Sequence, residues 1–341
     1  ARIIFATRQL VAELFHGPGP EQVAFTANST EALNIAIFGL LGPGDHIIST
    51  DLEHNSVLRP LYRLREEGAQ VSFLPADNKG QINLADLDGL LKPHTKAVVC
   101  THGSNVTGDL VDIARVGAFC VAHGLLFILD ASQTAGVFPI DMPKDHIDVV
   151  CFTGHKSLLG PQGTGGLCFR KGLEIRPWKR GGTGVQSYLT TQPPAYPTRL
   201  EAGTLNGHGL AGLNAALRKR LSIGIEAYRT QETDLARHFY AEVAKIPGIK
   251  LYGDYSKELR APIVTLNLGQ VDAAAVSDEL EQRFGIATRP GAHCAPRLHQ
   301  ALGTVEQGAV RFSWSAANTM AETDEAIAAV RLLAGEMKLC E

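Results

Sequence analysis

The chain has 341 residues, 45% of them hydrophobic and 20% charged, with a net charge of −3 and a mean hydropathy near zero. This composition predicts a soluble globular protein, long enough for a large core and two domains. It offers no basic footprint for nucleic acid or an anionic membrane, and no apolar run is long enough to span a bilayer. The six cysteines, Cys100, Cys120, Cys151, Cys168, Cys294 and Cys340, form no CxxC pair. Several sit in apolar runs, where cysteine behaves as a small hydrophobe. A reducing cytoplasm is the expected compartment.

In chain order, strand-like and helix-like stretches alternate from the start. The sequence opens on Ala1 without a methionine, inside a helical pattern carrying Ile3, Ile4, Leu10, Val11 and Leu14. It therefore reads as a fragment, which leaves targeting signals open. Residues 22–26 predict a strand and 32–41 a helix, with Ser29 and Thr30 as cap residues whose neighbouring amides favour an anion. A Gly-Pro-Gly-Asp turn at 42–45 precedes a strand over 46–50, a helix over 56–67 and a strand over 70–74. A short helix is expected over 84–91, a strand over 96–101, a helix over 112–123 and an apolar strand over 125–129 that ends on Asp130. The run 149–152 is β-rich and too short for a helix of its own, so it reads as a buried central strand. It passes directly into Thr153-Gly-His-Lys156, and a Gly-rich turn at 160–166 then feeds a strand over 167–170. The repeated βα pattern predicts a mainly parallel sheet covered by helices on both faces.

After Lys171 a long irregular segment follows, and such segments are often functional. Helical sequence resumes at Gly209, and from about residue 225 a smaller α+β unit is expected. It contains a helix through Tyr240, strands over 263–268, 286–289 and 310–315, and helices over 273–284 and 322–337.

Candidate chemistry gathers at the predicted strand ends, where ligands collect in open α/β sheets. Lys156 can form an imine with an aldehyde such as that of pyridoxal phosphate (PLP), and Thr30, Thr153 and His155 suit a phosphate. Asp130 needs a cationic or donor partner, which a pyridinium nitrogen supplies, and Gln133 can donate to a ring oxygen. His54 can stack on a planar cofactor, and the Asn105 amide can bond a ring substituent. Each has a blander reading alone: a surface lysine, a capping aspartate, a loop histidine.

Cys294 differs from the other cysteines. It lies in the polar loop Thr288-Arg-Pro-Gly-Ala-His-Cys-Ala-Pro-Arg297, with Pro296 announcing a helix start. His293, Arg289, Arg297 and the helix start would favour thiolate, the nucleophilic form. Arg311, placed in a strand, suits a substrate carboxylate bidentately or else a structural salt bridge. His293, Cys294 and His299 are close in sequence, but no second cluster gives zinc-like spacing, so no metal is expected. The glycines at 163–166 lack the spacing and following helix of a phosphate loop.

Taken in order, Thr-Glu-Ala-Leu-Asn at 30–34, Glu-His-Asn at 53–55, Ser-Asn-Val-Thr-Gly at 104–108, Asp-Ala-Ser-Gln at 130–133, Thr-Gly-His-Lys at 153–156, Glu-Ala-Gly-Thr-Leu-Asn at 201–206 and Arg-Pro-Gly-Ala-His-Cys-Ala at 289–295 form one series. In this it resembles the NifS/SufS-like cysteine desulfurases and selenocysteine lyases, within the class V aminotransferases of PLP fold type I. The resemblance covers essentially the whole chain. It implies a large PLP-binding domain over 1–222 with a mainly parallel seven-stranded sheet sandwiched by helices, and a small C-terminal α+β domain over 223–341 carrying the cysteine loop. It further implies that Lys156 anchors PLP and that Asp130 meets the pyridinium nitrogen. His54 would stack on the ring, Gln133 and Asn105 would contact its substituents, and Ser29, Thr30, Thr153 and His155 would surround the phosphate. Gly203 and Thr204 would reach the phosphate of a neighbouring subunit, giving a homodimer with shared sites. Arg311 and Asn105 would orient cysteine or selenocysteine, and Cys294 would take its sulfur, releasing alanine and passing sulfur on to an acceptor protein. The cysteine loop resembles the SufS-like group more than the group with a long loop. The chain departs from the family in lacking the N-terminal segment with its Asp-Asn-Ala-Ala-like turn. Pro290 and Ala292 also stand at variable positions of the motif. An aminotransferase or another PLP-dependent lyase that does not use the thiol is the alternative, and a silent scaffold for a sulfur-carrier partner is a third reading.

Overall fold

Short apolar strands alternating with capped helices build a seven-stranded sheet from the first two-thirds of the chain. The computed structural model describes residues 1–337, and Cys340 lies outside them. In order come α1 (Arg2–Leu14), β1 (Val23–Thr26), α2 (Ser29–Leu40), β2 (His46–Thr50), α3 (Asn55–Glu66), β3 (Gln70–Leu74), β4 (Thr95–Thr101), α4 (Ile113–His123), β5 (Leu126–Asp130), β6 (Val149–Thr153), β7 (Gly165–Phe169) and α5 (Gly207–Ile223). The strand order is β1-β7-β6-β5-β4-β2-β3. The pairs from β6 across to β3 are parallel, and β7 pairs antiparallel with both its neighbours, so it alone runs against the rest. Residues 84–90, expected as a short helix, form a 3-10 helix.

Both faces of this sheet are buried, as near-continuous apolar strands require. Ile47, Ala97, Val99, Ile128, Val149 and Cys151 join Leu33 and Ile37 of α2 and Val57 and Leu61 of α3 in one core cluster. The alternate residues Val98, Phe127, Leu129, Val150 and Phe152 are equally buried. On that side the Phe152 ring meets Phe15, just past the end of α1, at 5.6 Å, and α1 packs against α5.

The remaining elements are α6 (Ile225–Val243), β8 (Ile249–Tyr252), β9 (Ile263–Leu268), α7 (Ala273–Phe284), α8 (Pro296–Leu302), β10 (Val310–Ser313) and α9 (Met320–Met337). They form a three-stranded antiparallel sheet in the order β10-β9-β8. Val264, Leu266 and Leu268 of β9 pack with Phe239, Val276, Leu280, Val330 and Leu333 in a second core. The strand expected over 286–289 does not form: Pro290 follows it, and only Arg289 bridges to Arg311. β8 was not anticipated.

The chain separates into two compact units, and the second takes in residues 75–83 and 103–110 as well as everything from Glu226 on. A single boundary at 222/223 leaves those two stretches in the first unit. Buried polar chemistry explains the difference. Asp109 is 2% exposed, forms an ion pair with Arg260 and accepts from Gln81 Nε2. Arg260 also donates to the Thr107 carbonyl, and Thr265 donates to the Val106 carbonyl at 2.5 Å. Removing either partner would strand a buried charge, so these segments are held together.

Candidate active site

β4, β5 and β6 are parallel neighbours, so their carboxyl ends come into register, with Thr101 opposite Asp130 and Asp130 opposite Cys151. Asp130 is 3% exposed. Its Oδ1 accepts from the Ser132 amide at 2.9 Å and from the Ser132 hydroxyl. Ser132 Oγ in turn lies 2.7 Å from Ser29 Oγ on α2. Gln133 sits half-buried in the turn that follows. At the end of the adjacent strand, Thr153 Oγ1 is 3.1 Å from His155 Nδ1. Between them, a Cβ on Gly154 would fall 2.1 Å from Thr164 Oγ1, so only glycine fits this turn. The turn leaves His155 and Lys156 exposed beyond the strand. Burial of part of its ring and the Lys156 ammonium push His155 below the usual imidazole range.

Asn28, rather than Ser29 or Thr30, caps α2, accepting from the Glu31 amide at 3.1 Å. The two hydroxyls are consequently used sideways, Ser29 toward Ser132 and Thr30 toward Ser56 at 2.7 Å. Ser56 Oγ lies 2.8 Å from His54 Nδ1, and the same nitrogen accepts from the Ser56 amide at 3.0 Å. Because an amide can only donate, the neutral ring carries its proton on Nε2. Thr30, Ser56 and His54 thus form one chain. Ser56 and Ser132 were not anticipated; both lie inside or beside the motifs, and only the fold brings them to these partners.

Glu53, between Leu52 and His54, is a further buried carboxylate. It is 0% exposed. Oε1 accepts from Thr50 Oγ1 at 2.7 Å and the Thr101 amide at 3.1 Å, while Oε2 has no partner. Burial pushes its pKa up to about 8, with Asp130 adding a smaller push. The folded state therefore holds a proton that the unfolded chain releases near pH 4.5, and stability falls as pH rises between about 5 and 8. Glu53→Gln is expected to remove this slope, worth of order 4 kcal/mol. Urea denaturation at pH 5 and pH 9 measures it; an equal slope in both proteins would refute the assignment.

In the second unit, Asn105, Arg289, His293, Cys294 and Arg311 come together. Asn105 Nδ2 donates to the His293 carbonyl at 2.7 Å, and its own carbonyl accepts from Arg311 Nη1 at 2.8 Å. The Asn105 amide nitrogen is therefore committed to the cysteine loop. Arg289 Nη2 lies 3.7 Å from Cys294 Sγ. Burial and the neighbouring Arg289 guanidinium lower Arg311 to about 10, and its buried Nε has no partner. Neither arginine pairs with a carboxylate among the described residues, so two cations beside a half-buried thiol present an anion-binding group. The structural salt bridge that is the competing account of Arg311 does not form among the described residues. The other four cysteines described are buried.

Gly203 and Thr204 lie in an exposed irregular segment, where the Gly203 amide donates to the Gly182 carbonyl at 2.8 Å. Trp178, Val185, Tyr188 and Leu189 are exposed along the same segment. Among the described residues no group of three or more His, Cys, Asp or Glu could hold a metal, and no helix is long and apolar enough to cross a membrane. An exposed amine, a buried acid at the neighbouring strand end, and hydroxyl and imidazole groups beside a helix start are the groups that pyridoxal phosphate requires.

A family model for class-V aminotransferases matches residues 1–325. A cysteine desulfurase of Serratia proteamaculans is 33% identical over 336 residues, covering 96% of this chain and 81% of the relative. The apo structure of a cysteine desulfurase from Thermococcus onnurineus superposes with a TM-score of 0.92 at 29% identity, covering 98% of this chain and 84% of that one. The Escherichia coli cysteine desulfurase CsdA in its S-sulfonic acid form gives 0.89 at 30% identity, with the same coverage.

Proposed function

The chain belongs to the class-V aminotransferase family, whose members depend on pyridoxal phosphate, and on that premise we propose that it is a cysteine desulfurase. The observation that carries this reading is the grouping of Cys294 with two guanidinium groups that pair with no carboxylate among the described residues. It supplies both a nucleophilic sulfur and a seat for an amino-acid carboxylate. When bound, the cofactor supplies an electron sink for bonds at the substrate's α and β carbons.

The chain's own residues do the rest. Lys156 anchors the cofactor and then moves the α-proton as a general base. Asp130, oriented by Ser132, would hold the pyridinium nitrogen, with His54 against the ring and Gln133 at its phenolic oxygen. Thr30, Thr153 and His155, with Ser29 on α2, would hold the phosphate. Arg311 and Asn105 position the substrate. At Cys294 the substrate Cβ–S bond breaks and an S–S bond forms on the enzyme. The electron pair stays with Cβ, which takes up a proton to give alanine.

The two units serve as a large cofactor-binding domain and a small domain carrying the cysteine. Gly203 and Thr204 complete the phosphate site of a second copy, giving a homodimer with shared sites. A cytoplasmic location, passage of sulfur to an acceptor protein and use of selenocysteine belong to the same reading. The test is product analysis of the cofactor-loaded enzyme with L-cysteine and an added thiol reductant. Alanine and sulfide in equal amounts are expected. A keto acid formed from an amino donor, without alanine from cysteine, would favour the aminotransferase reading instead.

A further inference from the structure

The residue before Cys294 is held in a way that the desulfurase reading does not use. His293 and Cys294 both adopt left-handed backbone, with φ of 50° and 57°, a conformation that costs L-residues of order 1–3 kcal/mol each unless their surroundings impose it. Something must impose it here. The His293 carbonyl accepts from Asn105, and its ring is 2% exposed. His293 Nε2 lies 2.9 Å from the Arg289 carbonyl, and Nδ1 lies 3.1 Å from Nε2 of His299, itself 1% exposed. His299 Nδ1 lies 2.7 Å from the Thr304 hydroxyl. The two rings stack with centroids 5.3 Å apart and planes 16° apart.

With both rings kept neutral by burial, the contacts fix every proton. A carbonyl only accepts, so His293 Nε2 carries hydrogen and donates to Arg289. Its Nδ1 lone pair must then accept from His299 Nε2–H, and the His299 Nδ1 lone pair accepts from the Thr304 hydroxyl. The series runs in one direction, from Thr304 through His299 and His293 to the backbone of Arg289. Burial pushes His293 down to about 3 and His299 below its ordinary value.

We propose that His299 and Thr304 are positioning residues for the Cys294 thiol, acting through the His293 ring to hold residues 289–294 in the one conformation that sets Sγ beside Arg289. Neither residue touches the thiol. His299 lies on α8, whose far end, at Gly303, leads directly to Thr304. The helix that starts just after the cysteine therefore folds its own tail back to support the loop before it. Thr304 is further tied to this turn by its amide, which donates to the His299 carbonyl at 3.0 Å. The proposal rests on Cys294 being the sulfur-accepting residue.

The test uses the cofactor-loaded enzyme and two readouts, sulfide release from cysteine and the rate of Cys294 alkylation by iodoacetamide. His299→Leu removes both ring contacts. It is expected to lower kcat by about tenfold or more, as misplacement of a reacting group by a fraction of an ångström does. The cofactor absorbance should change little, because the groups proposed to hold the cofactor belong to the first unit. His299→Gln keeps a donor toward His293 and should recover most of kcat, which a loss of packing alone would not allow. Thr304→Val, nearly isosteric, covers the case in which His299→Leu fails to fold, and should lower kcat by about threefold. Unchanged kcat and alkylation rates in Thr304→Val and His299→Leu would overturn the positioning role. Cys294→Ala, run alongside, separates this from the parent reading: if it still releases sulfide, the desulfurase assignment itself has failed.

Discussion

Alanine in place of Cys294 is expected to reduce sulfide release from cysteine by a factor of about 10³ or more while leaving the cofactor's visible absorbance unchanged. The two effects separate because the residues involved lie in different parts of the chain. Lys156, Asp130 and the phosphate-side hydroxyls belong to the strand ends of the first unit, and Cys294 belongs to the second. Loss of the thiol leaves the Arg289 and Arg311 guanidinium groups in place, so cysteine should still bind and still perturb the absorbance. What disappears is the acceptor for its sulfur. Serine at the same position should be as inactive, since a hydroxyl of similar size cannot form the S–S bond. Sulfide release within about tenfold of the parent would show that sulfur leaves without an enzyme persulfide, and the reaction would then be a lyase elimination.

Lys156→Ala should have an effect as large but different in kind. The amine is the only proposed group that both anchors the cofactor and moves a proton. Its removal should lower turnover by about 10⁴ and abolish the absorbance of a lysine-bound cofactor. The neighbouring groups decide what remains. Asp130, Ser132 and Ser29 form one hydrogen-bonded set, and Thr30, Ser56 and His54 form another. The variant should therefore still bind pyridoxal phosphate reversibly, detectable by equilibrium dialysis, and fold with an unchanged urea midpoint. A variant that keeps the bound-cofactor absorbance after dialysis would place the anchor at another lysine.

Much of this was legible in the sequence, and the reasons are local. Val149 to Phe152 and Leu126 to Leu129 are uninterrupted apolar runs because both faces of the sheet are covered, and such runs mark strands without any partner being known. Asp130 and Thr153 announce themselves as polar residues directly after those runs. Direction is another matter: nothing within residues 165–169 says that β7 runs against its neighbours. β8 escaped notice because it is four residues long and only partly buried. Residues 286–289 looked like a strand by composition, yet only Arg289 finds a partner. Asn28 competes with Ser29 and Thr30 for the same cap, and sequence does not rank them. Ser56, Ser132, His299 and Thr304 are ordinary polar residues whose meaning comes wholly from what the fold sets beside them.

The way the second unit takes up residues 75–83 and 103–110 bears on how this protein is made and how it can be recombined. Asp109 and Arg260 are 151 residues apart. During synthesis from the amino terminus, the acid leaves the ribosome long before the arginine exists, and it stays hydrated until the last third of the chain arrives. Closing so distant a contact is entropically slow, so the second unit should be the late step of folding. The same geometry constrains inheritance. A single crossover near residue 225 between two relatives would give one parent's Arg260 the other parent's Asp109, Gln81 and Thr107. A swap that carries all three segments from one parent keeps that buried set intact, and only such a swap exchanges the cysteine-bearing unit whole.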